Sequence, residues 1–172
     1  MPRPHVNHHP VTSISADEIM RIARNNRFRY LENRHQIEAI NMRADLSHRD
    51  MRNVDCRGVF LRRATMRHSK LHSARFSYSD LAQADMYLVF ATQANMQNIY
   101  ANQSDWCTAY LMNSDFGFAN LVEARFINAH MGEINLSASD LTRSDLRDAN
   151  MRSARMEQAS LYDADLRRTN CR

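Results

Sequence analysis

From residue 46 onward, apolar side chains recur at every fifth position. The series runs from Leu46, Met51, Cys56 and Leu61 to Leu161, Leu166 and Cys171, 26 successive apolar centres with no slip in register. Against a 44% apolar background, chance agreement of that length is on the order of 10⁻⁹. Two positions before each centre the residue is small: thirteen alanines, six serines and one threonine, with Arg49, Val54, Val59, Val89, Ile99 and Ile134 as the exceptions. Immediately before the centre, fifteen of the 26 residues are Asp or Asn. A period of five matches neither the 3.6 of a helix nor the 2.0 of a strand. It requires a chain that turns a corner every five residues, with two side chains per segment pointing inward. Asp and Asn suit such corners because their short side chains hydrogen-bond nearby backbone. Four corners close a square, so twenty residues make one coil. Coils then stack at the β-strand spacing of about 4.8 Å, which predicts about six and a half coils and a rod roughly 31 Å long.

Stretches such as Ala84-Asp85-Met86, Ala119-Asn120-Leu121, Ala149-Asn150-Met151 and Ala164-Asp165-Leu166 resemble the A(D/N)LXX signature of pentapeptide-repeat proteins. The resemblance covers Ala44 to Arg172. It implies an all-β solenoid, a right-handed quadrilateral parallel β-helix with the centre and the small residue both inside. This chain differs from the usual pattern in its many methionine centres and its scarce glycine.

The exceptions to the pattern conserve volume. The alanine centres Ala91 and Ala101 follow large residues, Val89 and Ile99, at the small position, and Cys56 follows Val54. Moving volume from one inward slot to the other keeps the core filled, and the small centres leave room for Trp106. Arg49 is the one charged residue at an inward position. Ahead of the repeat, Pro, His and Asn crowd positions 2–10, so residues 1–14 are expected to form a disordered tail. Ser15-Ala16-Asp17-Glu18 is a capping box followed by Ile19, Met20, Ile22 and Ala23 on one face. A helical cap over residues 15–43 is expected to cover the open solenoid end.

Charge divides the chain into three. Residues 1–75 carry 15 basic and 7 acidic groups, residues 76–124 carry five acids and no Lys or Arg, and residues 125–172 are nearly balanced. The basic end includes Arg57, Arg62, Arg63, Arg67 and Lys70. Arginine there favours planar contact with carboxylate or phosphate, although nucleic acid is the less favoured partner. Folding the sequence onto four columns gathers Tyr87, Leu88, Phe90, Tyr110, Met112 and Ile127 into one outward stripe, with Cys107 beside it. A second stripe on the opposite corner gathers Phe60, Tyr78, Tyr100, Phe118, Val122 and Tyr162. Apolar stripes of this size mark contact sites, and the first is the preferred partner-binding surface.

Catalysis has little to build on. His48 and His68 stack in one column without an orienting carboxylate, and a filled rod offers no pocket. Cys56 and Cys171 point inward, which leaves Cys107 as the one outward thiol. The sequence therefore predicts a non-enzyme with no metal or cofactor. No apolar run approaches the roughly 18 residues of a membrane span. The scattered cysteines favour a reducing, cytoplasmic setting.

These features predict a rigid binding module that presents its corners to a protein partner. The resemblance supplies an alternative: some pentapeptide-repeat proteins mimic duplex DNA and protect DNA gyrase and topoisomerase IV from quinolones. Such members are strongly acidic along the rod, whereas this chain has a pI near 9.2. The last coil, with Leu161, Leu166 and Cys171, is expected to pair end to end with a second copy, since unpaired strand edges invite another chain.

Overall fold

The computed structural model describes residues 44–172. The expectations for residues 1–14 and 15–43 lie outside the described residues. Within them, the five-residue period becomes a four-residue turn in every segment, as at Leu46–Arg49, where the Arg49 N–H donates to the Leu46 carbonyl at 3.4 Å. Parallel bridges join each residue just before a centre to the one twenty positions on, from Asp45–Thr65 to Asn150–Asn170. A turn every five residues and a register of twenty give four sides per coil. The coils are held together by backbone hydrogen bonds, such as Leu46 N–H to Thr65 O at 2.7 Å and Thr65 N–H to Ala44 O at 2.9 Å.

Two devices keep the corners in register. First, every Asp or Asn that precedes a centre accepts, through Oδ1, the N–H two residues ahead, from Asp45 with Ser47 to Asn170 with Arg172. This is the side-chain mimic of a turn that those residues favour. Second, the third residue of each turn has φ between 54° and 66° from His48 to Arg168. That is the left-handed region glycine enters without cost. Only Gly58 is a glycine there; the others include Leu88, Thr108 and Phe118. The repeat over-determines a conformation that these side chains would avoid in isolation.

The interior is filled as the volume argument requires. The centres from Leu46 to Met151 are buried, including Trp106, Ala91 and Ala101, all fully. The Trp106 ring meets Phe116 edge-on at 5.2 Å and lies parallel to Phe126 at 6.2 Å. Serines at the small position return their hydroxyls to the backbone, as Ser69 does to the Met66 carbonyl and Ser139 to the Leu136 carbonyl, both at 2.6 Å. Arg49 is half-buried in the first described coil.

The last described coil is different. Leu161 is half-buried, Leu166 is 37% exposed and Cys171 is exposed. Cys171 occupies an inward register position, but no coil of the described residues stacks beyond it, so it is not enclosed. Cys107 departs from expectation in the opposite sense. Although it follows a centre, it is buried, and burial, helped by Asp105, pushes its thiol up to about 12. It is not an outward, reactive thiol.

Candidate functional site

With the interior closed, any recognition falls to the outward residues of corners and edges. The first stripe spans one edge and its two corners. Phe90 and Tyr110 stack at 5.1 Å, and Tyr110 and His130 stack at 4.6 Å, with nearly parallel rings. The repeat places these three residues twenty apart on one column, so each ring covers the face of the next. Tyr87, Leu88, Tyr110, Met112 and Ile127 are half-buried, and Phe90 is 38% exposed. The stripe presents ring edges and half-covered apolar groups rather than open faces.

The second stripe is the more exposed one, against the ranking the sequence suggests. Tyr78 is 68%, Tyr100 60%, Phe118 67% and Tyr162 70% exposed, while Phe60 and Val122 are half-buried. It is also wider than one corner. Tyr78 and Phe118 share a corner column, Phe60 and Tyr100 stand on the adjoining edge, and Val122 and Tyr162 lie on the corner beyond. Column positions were legible from the period, but exposure was not. Stacking covers the faces of rings that are one coil apart, and Tyr78 and Phe118 are two coils apart.

The basic end forms a collar rather than a patch. Arg57, Arg62, Arg63, Arg67 and Lys70 are spread around several sides of the first coils, and most are already engaged. Arg57 pairs with Asp55 at 2.7 Å, Arg62 with Asp80 and Arg67 with Asp85 at 3.7 Å, and Arg63 donates to Gln83 Oε1 at 2.6 Å. The Arg67 guanidinium also lies 4.6 Å from the centre of the Tyr87 ring. Such engagement draws charge away from an external phosphate.

One corner carries a polar ladder that the sequence reading missed. Arg63 donates to Gln83, Gln83 to Gln103 at 2.7 Å and Gln103 to Glu123 at 2.8 Å, and Arg143 closes it at 2.6 Å from Glu123. The Gln103 amide and Arg143 hold the Glu123 carboxyl below its usual range. The signal was present as polar residues at intervals of twenty, which apolar periodicity ignores. The ladder rigidifies its corner.

His48 and His68 stack at 4.8 Å with planes 4° apart. Burial, with His48 and Arg67 adjacent, lowers the His68 pKa. Among the described residues, no three metal-ligating side chains come together, and no helix is long and apolar enough to cross a membrane. Buried Cys56 has its thiol pushed up to about 12. At the last coil, Met156, Leu161 and Leu166 offer backbone N–H groups that no carbonyl of the described residues accepts.

Comparison with known proteins agrees with this geometry. The family model for pentapeptide repeats matches eight copies, over residues 42–77, 50–86, 92–128, 119–158 and 144–172. A search of curated proteins by sequence returns no match. Solved structures similar to this chain include HetL, a pentapeptide repeat protein involved in heterocyst differentiation regulation from Nostoc sp. strain PCC 7120. It is 22% identical over 72% of this chain and 70% of its own, with a TM-score of 0.29. Full-length QnrB1, a plasmid-mediated fluoroquinolone resistance protein, is 18% identical over 74% and 79%, with a TM-score of 0.35. Rfr23 from the cyanobacterium Cyanothece 51142 is 15% identical over 87% and 99%, with a TM-score of 0.32. At these identities and TM-scores, the likenesses carry nothing about function.

Proposed function

Because the chain belongs to the pentapeptide-repeat family, we propose that it works as a non-catalytic, rigid module presenting solenoid corners to a protein partner. The observation that carries this reading is the row of outward rings, Tyr78, Tyr100, Phe118 and Tyr162, each at least 60% exposed on a scaffold whose every side is bonded to the next coil. A rigid scaffold presents such groups at little ordering cost, which favours binding. Aromatic residues are also those enriched where protein surfaces meet. The free cysteines support a reducing, cytoplasmic setting for it.

Affinity capture from extracts of the source cells, compared among variants, tests this. A protein retained by the wild type should be lost from Tyr110→Ala/Met112→Ala or from Tyr78→Ala/Phe118→Ala. Identical retained sets for all three baits would overturn the reading.

End-to-end pairing with a second copy through Leu161, Leu166 and Cys171 belongs to the same proposal, unless a different protein occupies that edge. Its support is the exposed apolar edge and its unaccepted N–H groups. Sedimentation of the wild type should give a dimer at micromolar concentration, and Leu166→Asp a monomer. A wild-type monomer, unchanged by Leu166→Asp, would remove this part.

A further inference from the structure

Four successive coils each place one aromatic ring on two neighbouring columns, and the rings alternate between them. Phe60 and Tyr100 stand on the edge, Tyr78 and Phe118 on the corner beside it. Tyr78 and Phe118 are thus two coils apart, about 10 Å along the axis, with Tyr100 displaced sideways at the level between. This stagger keeps the rings from stacking on one another as Phe90, Tyr110 and His130 do.

On the first stripe the chain covers its outward rings from within. Arg67 lies over Tyr87, and the other column stacks. Tyr78, Tyr100 and Phe118 have neither arrangement among the described residues, and they remain 60–68% exposed. Residues 76–124 contain no Lys or Arg. The arginines that reach this band from neighbouring coils are drawn elsewhere: Arg62 to Asp80, Arg67 to Asp85 and Tyr87, Arg125 to Asp105 and Arg143 to Glu123. The band does supply Asp115 on an adjoining edge, a carboxylate whose partners Gly117, Gln97 and Asn135 are all neutral. Open ring faces also stack nucleic-acid bases, but the Asp115 carboxylate repels the phosphates that come with them. A cation is the complement of both features. Arginine fits better than lysine, because its planar guanidinium stacks flat on a ring and sheds water more readily.

We infer that the Tyr78–Tyr100–Phe118 surface is a docking site for an arginine-bearing segment of a protein partner, in extended form. Three residues of extended chain span the interval from Tyr78 to Phe118, at about 3.3 Å each. This rests on the protein-partner reading above and adds the chemistry of the partner.

The test uses the full chain and two labelled peptides of equal charge, Arg-Gly-Arg-Gly-Arg-Gly and Lys-Gly-Lys-Gly-Lys-Gly, followed by fluorescence anisotropy. The arginine peptide should bind about tenfold tighter, the gain expected from guanidinium contact with two or three rings. The preference should vanish in Tyr78→Ala/Tyr100→Ala/Phe118→Ala and persist in Tyr87→Ala/Tyr110→Ala. Emission from the single tryptophan, Trp106, checks that each variant is folded. Equal binding of the two peptides, no binding, or a preference that survives the triple variant would overturn the inference. So would binding that appears only in Arg21→Gln/Arg24→Gln/Arg27→Gln/Arg29→Gln, which would assign the surface to the chain's own segment. In any of these cases, a partner captured through Tyr110 and Met112 would leave the broader reading standing.

Discussion

The indole N–H of Trp106 donates to the Ser104 hydroxyl at 2.6 Å, with both residues fully buried. Ser104 in turn donates to the Ala101 carbonyl, so one hydroxyl serves the largest core side chain and the turn before it. Alanine is the commonest residue at the small position, yet it should fail here. Ser104→Ala strands a buried indole donor and is expected to cost about 1–3 kcal/mol. Denaturant unfolding followed by Trp106 emission would measure it. A loss of a few tenths of a kcal/mol would mean the bond carries no weight.

Thr108 is a β-branched residue held at φ 57°. Left-handed backbone costs ordinary L-residues roughly 1–2 kcal/mol, and asparagine less. Thr108→Asn should therefore stabilise the rod by about 1 kcal/mol, even though it loses the hydroxyl contact to the Cys107 carbonyl. Thermal unfolding of the two proteins should show the variant melting higher.

Arg57, with Arg75 adjacent, holds the Asp55 carboxyl down to about 2, and Arg167 does the same for Asp165. Their folded pKa values lie below the ordinary 3.8. The stabilisation is thus fully present above that value and lost as pH falls through about 2. The contribution of these two groups to the unfolding free energy should be flat from neutral pH to about 4 and then decline. Replacing Asp55 and Asp165 with Asn should flatten the decline, and a carbon-detected titration of Asp55 should show its midpoint near 2.

The protein is expected to give gyrase little protection from a quinolone in a supercoiling assay. Duplex DNA carries one phosphate per roughly 1.7 Å of axis. Of the five carboxylates in residues 76–124, four lie close to an arginine: Asp80, Asp85, Asp105 and Glu123, at 3.7, 3.7, 3.0 and 2.6 Å. Asp115 accepts hydrogen bonds from Gly117, Gln97 and Asn135. Strong protection at modest protein excess would favour the DNA-mimic reading instead.

What the sequence determined by itself is the coil. An apolar centre every five residues can be buried together with its small neighbour only if the chain turns four times in twenty. The inward slots of Trp106, Ala91 and Ala101 were therefore legible from position alone. The turn chemistry was legible too, because an Asx turn is local and needs only the side chain and the next two peptides. Exposure and pairing were decided by the tertiary structure, because both depend on what stands one coil away. Cys107 and Phe118 both sit in turns just after a centre, yet the stacked coils bury the first and leave the second open. The basic residues read as a free cationic end, but Asp55, Asp80, Asp85 and Gln83 reach them from the same or the next coil. Coil stacking brings Gln83 within hydrogen-bond range of Arg63 and sets Asp80 and Asp85 at 3.7 Å from Arg62 and Arg67, while Asp55 meets Arg57 inside one turn. A period of five shows none of this.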